Sequence, residues 1–225
     1  MPSYGSNPVL DGLVFMYDAA NPRNNAGGTA TTCLVQSNNA ITWNTAPVAN
    51  SFNLNSVATN SQAWASSNKR VLPANGYSAM TMEAWIYPTN TTLANQTFLG
   101  TANTFTQIGM SGSSIVFGRN AGAGGLLVSS LGTVTANTWY QVAMVYDGNL
   151  ANTFAVFRNG NCTSVTNNMG SKGNAVLNGP HFIGTYSSGG EYYDGRLAVA
   201  RVYNRALSNT EVRQNFDAYR GRFNI

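Results

Sequence analysis

The sequence has few charged residues, and lysine is the scarcest of them. Charged side chains make up 9% of the 225 residues, against about 25% in an ordinary soluble domain. Lysine occurs only as Lys69 and Lys172. Long surface helices normally draw on Glu and Lys, so this scarcity favours strands and turns. The hydrophobic fraction of 43% and the aromatic fraction of 11% exclude a disordered chain.

Carboxylates are also scarce, and none are arranged as a sugar-cleaving enzyme requires. The acidic residues are Asp11, Asp18, Glu83, Asp147, Glu191, Asp194, Glu211 and Asp217. A retaining glycoside hydrolase needs two carboxyl groups about 5–5.5 Å apart, which two positions on one strand can supply, and no pair here has that spacing. No serine or cysteine nucleophile motif accompanies the single His181, so a catalytic triad has little support. We therefore expect no enzymatic activity.

Cysteine and histidine are too rare to build a disulfide framework or a zinc site. The cysteines are Cys33 and Cys162, which lie far apart in the sequence. Two buried thiols are the preferred prediction, with a single bridge between them as the alternative. No metal-ligand spacing involves these residues, and His181 alone cannot form a zinc site.

The sequence lacks a leader pattern, a long apolar run and a basic run interleaved with aromatic residues. Residues 1–22 show no basic stretch followed by a continuous apolar one, so no signal peptide is predicted. No apolar run approaches the roughly 18 residues of a membrane span. The net charge of +4 arises from Arg196 onward, where six arginines accompany only Glu211 and Asp217. Solvated arginines are preferred to a polyanion partner, and neither nucleic acid nor membrane is expected.

Short β-forming runs separated by turn clusters fill most of the chain, which is the pattern of a β-sandwich or barrel. The clearest runs are Leu13–Tyr17, Met80–Tyr87, Phe105–Met110, Ser114–Phe117, Leu126–Ser130, Trp139–Tyr146, Phe154–Arg158, Phe182–Thr185 and Leu197–Tyr203. In Met80–Tyr87, the alternation places Met80, Met82, Ala84 and Ile86 on one face. Trp139–Tyr146 is apolar on both faces, as an inner strand covered on both sides would be.

One helix is predicted, and it closes the chain. Ser208 and Glu211 have the spacing of a capping box. The apolar stripe that follows at helical spacing consists of Val212, Phe216 and Tyr219. Gly221 offers a stop. We expect this short amphipathic helix to plug one end of the sandwich, in preference to docking on a partner.

Several stretches resemble the laminin G-like domains of the concanavalin A-like lectin/glucanase superfamily. They are GLVFMYDAANP (12–22), MTMEAWIYPT (80–89), TWYQVAMVYDG (138–148) with FRNG (157–160), and YDGRLAVARVYNRALSNTEVRQNFDAYRGRF (193–223). The last is similar to the closing strand and terminal helix of tailed-phage structural proteins. Residues 23–77 match no pattern. The resemblance implies an all-β, two-sheet antiparallel jelly-roll β-sandwich with a short C-terminal helix, formed by residues 1–225 as a single domain.

The resemblance also implies a role, a non-enzymatic structural component of a bacteriophage virion. The chain would decorate the capsid or belong to the head, neck or tail fibre, after synthesis in the host cytoplasm. Its expected partners are the major capsid, neck or tail proteins, a host-surface glycan and further copies of itself in a homo-oligomer. Low charge suits such packing, since desolvating charged side chains at an interface is costly. The alternative is a carbohydrate-binding, lectin-like module of a bacterial surface or extracellular protein.

The best local candidate for glycan binding is the segment YSSGGEYYD (186–194). The predicted glycan contacts are Tyr186, Glu191, Tyr192 and Tyr193, which surround a flexible Gly-Gly. Aromatic rings can stack on the C–H faces of a sugar, and a carboxylate can accept hydrogen bonds from its hydroxyls. The competing and preferred interpretation is that the tyrosines cover the edge of the sandwich while Glu191 is solvated.

Calcium often serves relatives of this fold, with loop carboxylates as ligands. Asp18, Asp147 and Asp194 lie at the ends of predicted strands and could contribute oxygen ligands. Their spacing does not match a defined calcium loop. We therefore predict no metal and no cofactor.

Overall fold

The computed structural model describes residues 6–20, 35–37, 42–44, 51–54, 63–65, 79–101, 107–118, 129–147, 153–166, 181–184 and 191–225. These ranges contain fifteen strands and one helix. They are β1 (Leu13–Asp18), β2 (Val35–Ser37), β3 (Thr42–Asn44), β4 (Ser51–Leu54), β5 (Ala63–Ala65), β6 (Ala79–Pro88), β7 (Gln96–Thr101), β8 (Gln107–Ser111), β9 (Ser114–Gly118), β10 (Ser129–Thr133), β11 (Tyr140–Asp147), β12 (Thr153–Arg158), β13 (Asn161–Thr166), β14 (His181–Ile183), β15 (Gly195–Tyr203) and α1 (Asn209–Phe223).

The strands form two antiparallel sheets. Sheet A has eight strands in the order β13-β12-β11-β6-β15-β4-β3, with β1 also paired to β15. Sheet B has seven strands in the order β10-β9-β8-β7-β14-β5-β2. One buried cluster draws on both sheets, since Met82 of β6 and Ile108 of β8 belong to it. The predicted two-sheet antiparallel β-sandwich with a short C-terminal helix is confirmed.

Strand β15 lies inside sheet A, and two other strands share one of its edges. Along one edge β15 pairs with β6, from Gly195 to Tyr203. Along the other edge it pairs with β4 over residues 195–197 and with β1 over residues 199–203. Strands β4 and β1 therefore lie end to end beside the same neighbour.

The core between the sheets follows the alternation predicted for β6. The residues of β6 in this core are Met80, Met82, Ala84 and Ile86, and all four are fully buried. The intervening side chains, among them Glu83 and Trp85, lie on the outer face of sheet A. Burying an apolar side chain of this size stabilises the fold by about 1.5–3 kcal/mol.

Strand β11 is covered on both of its faces, as its sequence predicts. Val142 and Met144 belong to the core between the sheets. Ala143 and Val145 belong to a second buried cluster, together with Val212 of α1. Each face of β11 is therefore apolar because it packs into a different buried cluster.

Helix α1 lies against the outer face of sheet A, and the prediction that it plugs one end of the sandwich was wrong. Trp85 stacks with Phe216 at 5.8 Å and with Phe223 at 4.3 Å between ring centroids. Because Trp85 alternates with the core residues of β6, it faces away from sheet B. The helix covers this aromatic face, which would otherwise be in water. No helix in the described ranges is both long and apolar enough to cross a membrane.

Both ends of α1 have defined caps. Ser208 Oγ accepts from the Glu211 N–H at 3.3 Å, and Glu211 Oε2 accepts from the Ser208 N–H at 2.9 Å, which confirms the predicted capping box. Gly221 does not stop the helix, which continues to Phe223. The left-handed position that ends it belongs to Asn224, with φ of 55°, a conformation that asparagine tolerates.

A buried polar cluster, here called the Glu83 cluster, joins α1 and the segment before β1 to sheet A. Arg201 Nη1 donates to Glu83 Oε1 at 2.9 Å, and Asn215 Nδ2 donates to Glu83 Oε2 at 2.8 Å. Asn215 Oδ1 accepts from the Val9 N–H at 2.8 Å, and the Tyr203 hydroxyl donates to the Val9 carbonyl at 3.1 Å. Burial lowers the pKa of Arg201, but the Glu83 carboxylate together with the Tyr203 and Tyr219 hydroxyls raises it, so the net shift is upward and the guanidinium stays charged.

The cysteine prediction was wrong for Cys162, which is exposed. This residue lies on β13, an edge strand of sheet A, and residues 161–163 are all exposed there. Cys33 lies outside the described residues.

Candidate functional site

The structure describes three of the four predicted glycan contacts and places Tyr193 apart from the other two. Glu191 and Tyr192 are half-buried, whereas Tyr193 is fully buried. The Tyr193 ring lies in the core and meets Phe98 edge-on, at 4.7 Å between centroids and 80° between planes. The prediction of Tyr193 as a glycan contact was therefore wrong, because a ring without exposed surface cannot stack on a sugar. Tyr186 lies outside the described residues.

Tyr193 has a structural role at the entry to β15. Its N–H donates to the Gly184 carbonyl at 3.0 Å, and its hydroxyl donates to the Arg196 carbonyl at 3.4 Å. A Cβ atom at position 195 would lie 2.5 Å from both the Tyr193 hydroxyl and the Tyr87 carbonyl oxygen, so Gly195 makes room for the phenol. Burial raises the pKa of Tyr193 well above its ordinary value of 10.0. The phenol therefore stays neutral.

Glu191 is held against sheet B by side chains of β7 and β8. Thr97 Oγ1 and Gln107 Nε2 both donate to Glu191 Oε2 at 3.0 Å. The Glu191 carbonyl accepts from the Thr97 N–H at 2.8 Å, and Tyr192 forms a parallel bridge with Thr97. The backbone of Glu191 is left-handed, with φ of 51°. We refer to Thr97, Gln107, Glu191 and Tyr192 as the Glu191 site.

The strand register places the Glu191 site on the outer face of sheet B. Gln107 directly precedes Ile108, whose side chain is in the core. Thr97 pairs with Gly109, which lies between the core residues Ile108 and Met110. Because successive side chains of a strand point to opposite faces, Thr97 and Gln107 point away from the core. The carboxylate they bind therefore lies over the outer face.

Two oxygen atoms of the Glu191 site receive no hydrogen bond from the described part of the chain. Both donors to the Glu191 carboxylate use Oε2, and Oε1 has none there. Gln107 Oε1 is buried and also lacks a donor. A buried acceptor without a donor costs about 1–3 kcal/mol. The Glu191 site is therefore rich in acceptors and short of donors.

Sequence reasoning found Glu191 and Tyr192 but missed Thr97 and Gln107. Isolated polar residues beside an apolar run are ordinary on the outer face of a sheet. Only the pairing of β7 with β8, and the return of the chain at position 191, brings them together. No local signal in the sequence marks this contact.

A close approach of backbones fixes the strands beneath the Glu191 site. A Cβ atom at Gly109 would lie 2.2 Å from the Gln96 carbonyl oxygen. The Gln96 side chain is itself buried, and it donates to the Asn90 carbonyl at 2.9 Å while accepting from the Asp194 N–H at 2.9 Å. Gln96 thus connects the loop before β7 to the segment that carries Glu191.

The three aspartates considered for calcium are engaged at separate places. Asp18 Oδ1 accepts from Arg222 Nη1 at 2.7 Å, and Asp194 Oδ1 accepts from Thr89 Oγ1 at 3.0 Å. Asp147 ends β11. Across the described ranges, no group of three or more His, Cys, Asp or Glu side chains could hold a metal ion.

Five of the six arginines from position 196 onward form ion pairs with carboxylates, and three of these pairs join distant parts of the sequence. The ion pairs are Arg201–Glu83, Arg205–Asp11, Arg205–Glu211, Arg213–Asp217, Arg220–Asp217 and Arg222–Asp18. Arg196 lies over the Tyr87 ring, with its guanidinium carbon 5.0 Å from the ring centroid. The local excess of positive charge in the sequence is largely neutralised in three dimensions. This pairing weakens the case for a basic docking surface.

Comparison with known proteins identifies the fold family. A family model described as the Concanavalin A-like lectin/glucanases superfamily matches residues 55–213. No curated protein sequence gives a match. Among solved structures, the binding domain of Paraclostridial Mosquitocidal Protein 1 has a TM-score of 0.70 at 15% identity, over 92% of this chain and 52% of that one.

Two further solved structures show the same fold. Domain 4 of AbnA, a GH43 extracellular arabinanase from Geobacillus stearothermophilus in complex with arabinotriose, has a TM-score of 0.66 at 14% identity, over 91% of this chain and 98% of that one. The Botulinum Neurotoxin Type G receptor binding domain has a TM-score of 0.64 at 12% identity, over 92% and 51%. The chain thus spans about half the length of these toxin binding domains. At such identities, the likeness shows the fold alone.

Proposed function

The chain belongs to the concanavalin A-like lectin/glucanases superfamily, and from that premise we propose that it is a non-enzymatic carbohydrate-binding module. The observation that carries the proposal is the Glu191 carboxylate, which Thr97 and Gln107 position on the outer face of sheet B. Its Oε1 atom can accept hydrogen bonds from sugar hydroxyls. Tyr192 follows Glu191 in the chain, and its ring supplies an apolar contact. Tyr186, which lies outside the described residues, stays a prediction from the sequence.

The comparisons support binding in preference to catalysis. Two of the similar structures are binding domains, and the arabinanase domain was solved in complex with arabinotriose. The acidic residues of this chain also lack the spacing of a hydrolytic pair. A module of this kind would attach a larger assembly to a glycan and leave the glycan intact.

The test is a glycan array followed by calorimetric titration of the best ligand, with arabinotriose included as a probe. Glu191→Gln keeps the size of the side chain and removes its charge, so we expect binding of that ligand to weaken at least about tenfold. Asp147→Asn makes the same chemical change at the end of β11 and should leave affinity unchanged. An array without any bound glycan would overturn the proposal, and equal affinity of the Glu191→Gln variant would overturn the site.

The closing segment, residues 193–223, favours a second proposal, that the module belongs to a tailed-phage virion. Its sequence resembles the closing strand and helix of phage structural proteins. The partners would then be major capsid, neck or tail proteins, and the module would assemble as a homo-oligomer. A host-surface glycan would occupy the Glu191 site. The charged fraction of 9% supports this proposal, because few charges must be desolvated on packing.

Quantitative mass spectrometry of purified particles tests the virion proposal, with this chain measured against the major capsid protein. A fixed high ratio indicates capsid decoration, and a few copies per particle indicate the neck or tail. Absence from particles overturns the proposal. Light scattering tests the homo-oligomer separately, since a monomer at high concentration contradicts it.

A further inference from the structure

We propose that the Glu191 site selects uncharged glycans and rejects anionic ones such as sialylated, sulfated or carboxylated sugars. This inference rests on the proposed carbohydrate-binding function and specifies the ligand class of the same site. It follows from which hydrogen-bond donors and acceptors of Thr97, Gln107 and Glu191 are already used within the protein.

The site offers a ligand an acceptor and no free donor proton of Thr97. The Thr97 hydroxyl proton is already directed to Glu191 Oε2, as is one proton of the Gln107 amide. Glu191 Oε1 and Gln107 Oε1 are left without donors from the described residues. An ionised carboxylate can only accept, and a carboxamide oxygen is likewise an acceptor. Gln107 Oε1 is buried, so a ligand reaches only Glu191 Oε1 and must bring a donor to it, as a hydroxyl of a neutral sugar does.

The charge of Glu191 is not balanced by a cation in the described part of the chain. The six ion pairs there use five other carboxylates, and none includes Glu191. An anionic group brought to Oε1 would place like charges together and set acceptor against acceptor. Neutral hydroxyls encounter neither penalty.

Glu191 cannot swing aside easily to admit an anion. Its carboxylate is held by two side-chain hydrogen bonds, and its carbonyl is bound to the Thr97 N–H at 2.8 Å. Its left-handed backbone, at φ of 51°, is an uncommon conformation for a residue other than glycine and restricts the alternatives. The carboxylate is therefore held in place before the ligand arrives.

The experiment compares matched glycan pairs that differ by one anionic group, such as lactose with 3′-sialyllactose and N-acetyllactosamine with its 6-sulfated form. The wild-type chain should bind the neutral member of the pair it recognises at least about tenfold more tightly than the anionic member. In Glu191→Gln, the ratio of the two affinities should fall toward one, because the new amide adds a donor and the charge is gone. Asp147→Asn should keep the wild-type ratio.

The ratio of the affinities for the neutral and the anionic glycan distinguishes electrostatic rejection of the anionic group from its steric exclusion. If the added group were excluded by its size, Glu191→Gln would retain the wild-type ratio, and the inference would be overturned. Equal or tighter binding of the anionic member by the wild-type chain would overturn it as well. In both cases glycan binding, and so the proposed function, would stand. A chain that bound no glycan of either class would overturn the proposed function itself.

Discussion

Glu83 and Arg201 face each other across β6 and β15, joined at 2.9 Å, and neither side chain has meaningful access to water. Removing one member of such a pair leaves an uncompensated buried charge, which costs about 3–5 kcal/mol. We therefore expect Glu83→Gln and Arg201→Met each to lower the free energy of unfolding by about that amount. Urea denaturation followed by tryptophan fluorescence measures it.

Arg213→Met is the matched control for Arg201→Met. Arg213 pairs with Asp217 at 3.0 Å, but their side chains are 43% and 36% exposed. Exposed pairs contribute at most about 1 kcal/mol. Equal losses in the two variants would show that the Glu83 cluster does not hold α1 and the N-terminal segment as described.

Adjacent tyrosines should respond in opposite ways to the same substitution. Tyr193→Ala removes a buried ring from its contact with Phe98, and truncation of a buried aromatic costs about 3–5 kcal/mol of stability. Tyr192→Ala removes a half-buried ring and should cost less than about 1 kcal/mol, while it weakens glycan binding. Thermal unfolding and calorimetric titration of both variants give the comparison. Wild-type stability in Tyr193→Ala would contradict its place in the core.

Two glycine-to-alanine substitutions should change the stability of the fold in opposite directions. At Gly109 the added methyl would meet the Gln96 carbonyl oxygen at 2.2 Å, and relieving such a contact costs about 1–3 kcal/mol. At Gly221, within α1, nothing lies within 4 Å of the new atom. Alanine is the better helix former by about 0.5–1 kcal/mol, so Gly221→Ala should stabilise the chain. If both variants shifted the denaturation midpoint in the same direction, the close approach of the β7 and β8 backbones at Gly109 would be contradicted.

The contact between Arg205 and Glu211 should make stability depend on pH in the acid range. The hydrogen bond from Arg205 lowers the pKa of Glu211 from 4.5 to about 2. The folded state therefore favours the ionised carboxylate, and this stabilisation is complete above pH 4.5 and disappears as the pH falls through 2. Glu211→Gln should lose about 1–2 kcal/mol at pH 7, and the difference from the wild type should vanish near pH 2.

Glutamine can still close the capping box, so the loss in Glu211→Gln reports the charge and not the cap. Arg205→Met should show the same pH dependence, and the double variant should lose little more than either single one. Thermal unfolding from pH 2 to 7 follows all three. A constant difference across this range would contradict the assignment.

Features that depend on neighbouring residues were predicted from the sequence. The alternation of Met80 to Ile86 and the capping box of Ser208 and Glu211 are local patterns, and both are confirmed. Each of the predicted β-runs overlaps a strand. Strands β2 to β5, β7 and β13 were missed, and the first four lie in residues 23–77, which match no known motif.

Features that depend on register between distant strands could not be predicted. Tyr193 follows Tyr192 directly, and nothing local shows that one ring enters the core while the other lies at the surface. The same holds for Thr97 and Gln107, which meet Glu191 only through the pairing of sheet B. The charge balance is a third example, since Glu83 and Arg201 are 118 positions apart.

The interior position of β15 also determines the order in which sheet A can assemble. Its three neighbours β6, β4 and β1 are synthesised long before it, and until residues 195–203 emerge each lacks its partner along one edge. The contacts that follow join very distant positions, with Val9 and Asn215 separated by 206. Contacts between residues so far apart in the sequence form slowly, and unpaired strand edges can pair with other chains. Folding of sheet A must therefore follow synthesis of its last strand, and the nascent chain is most prone to aggregation just before that point.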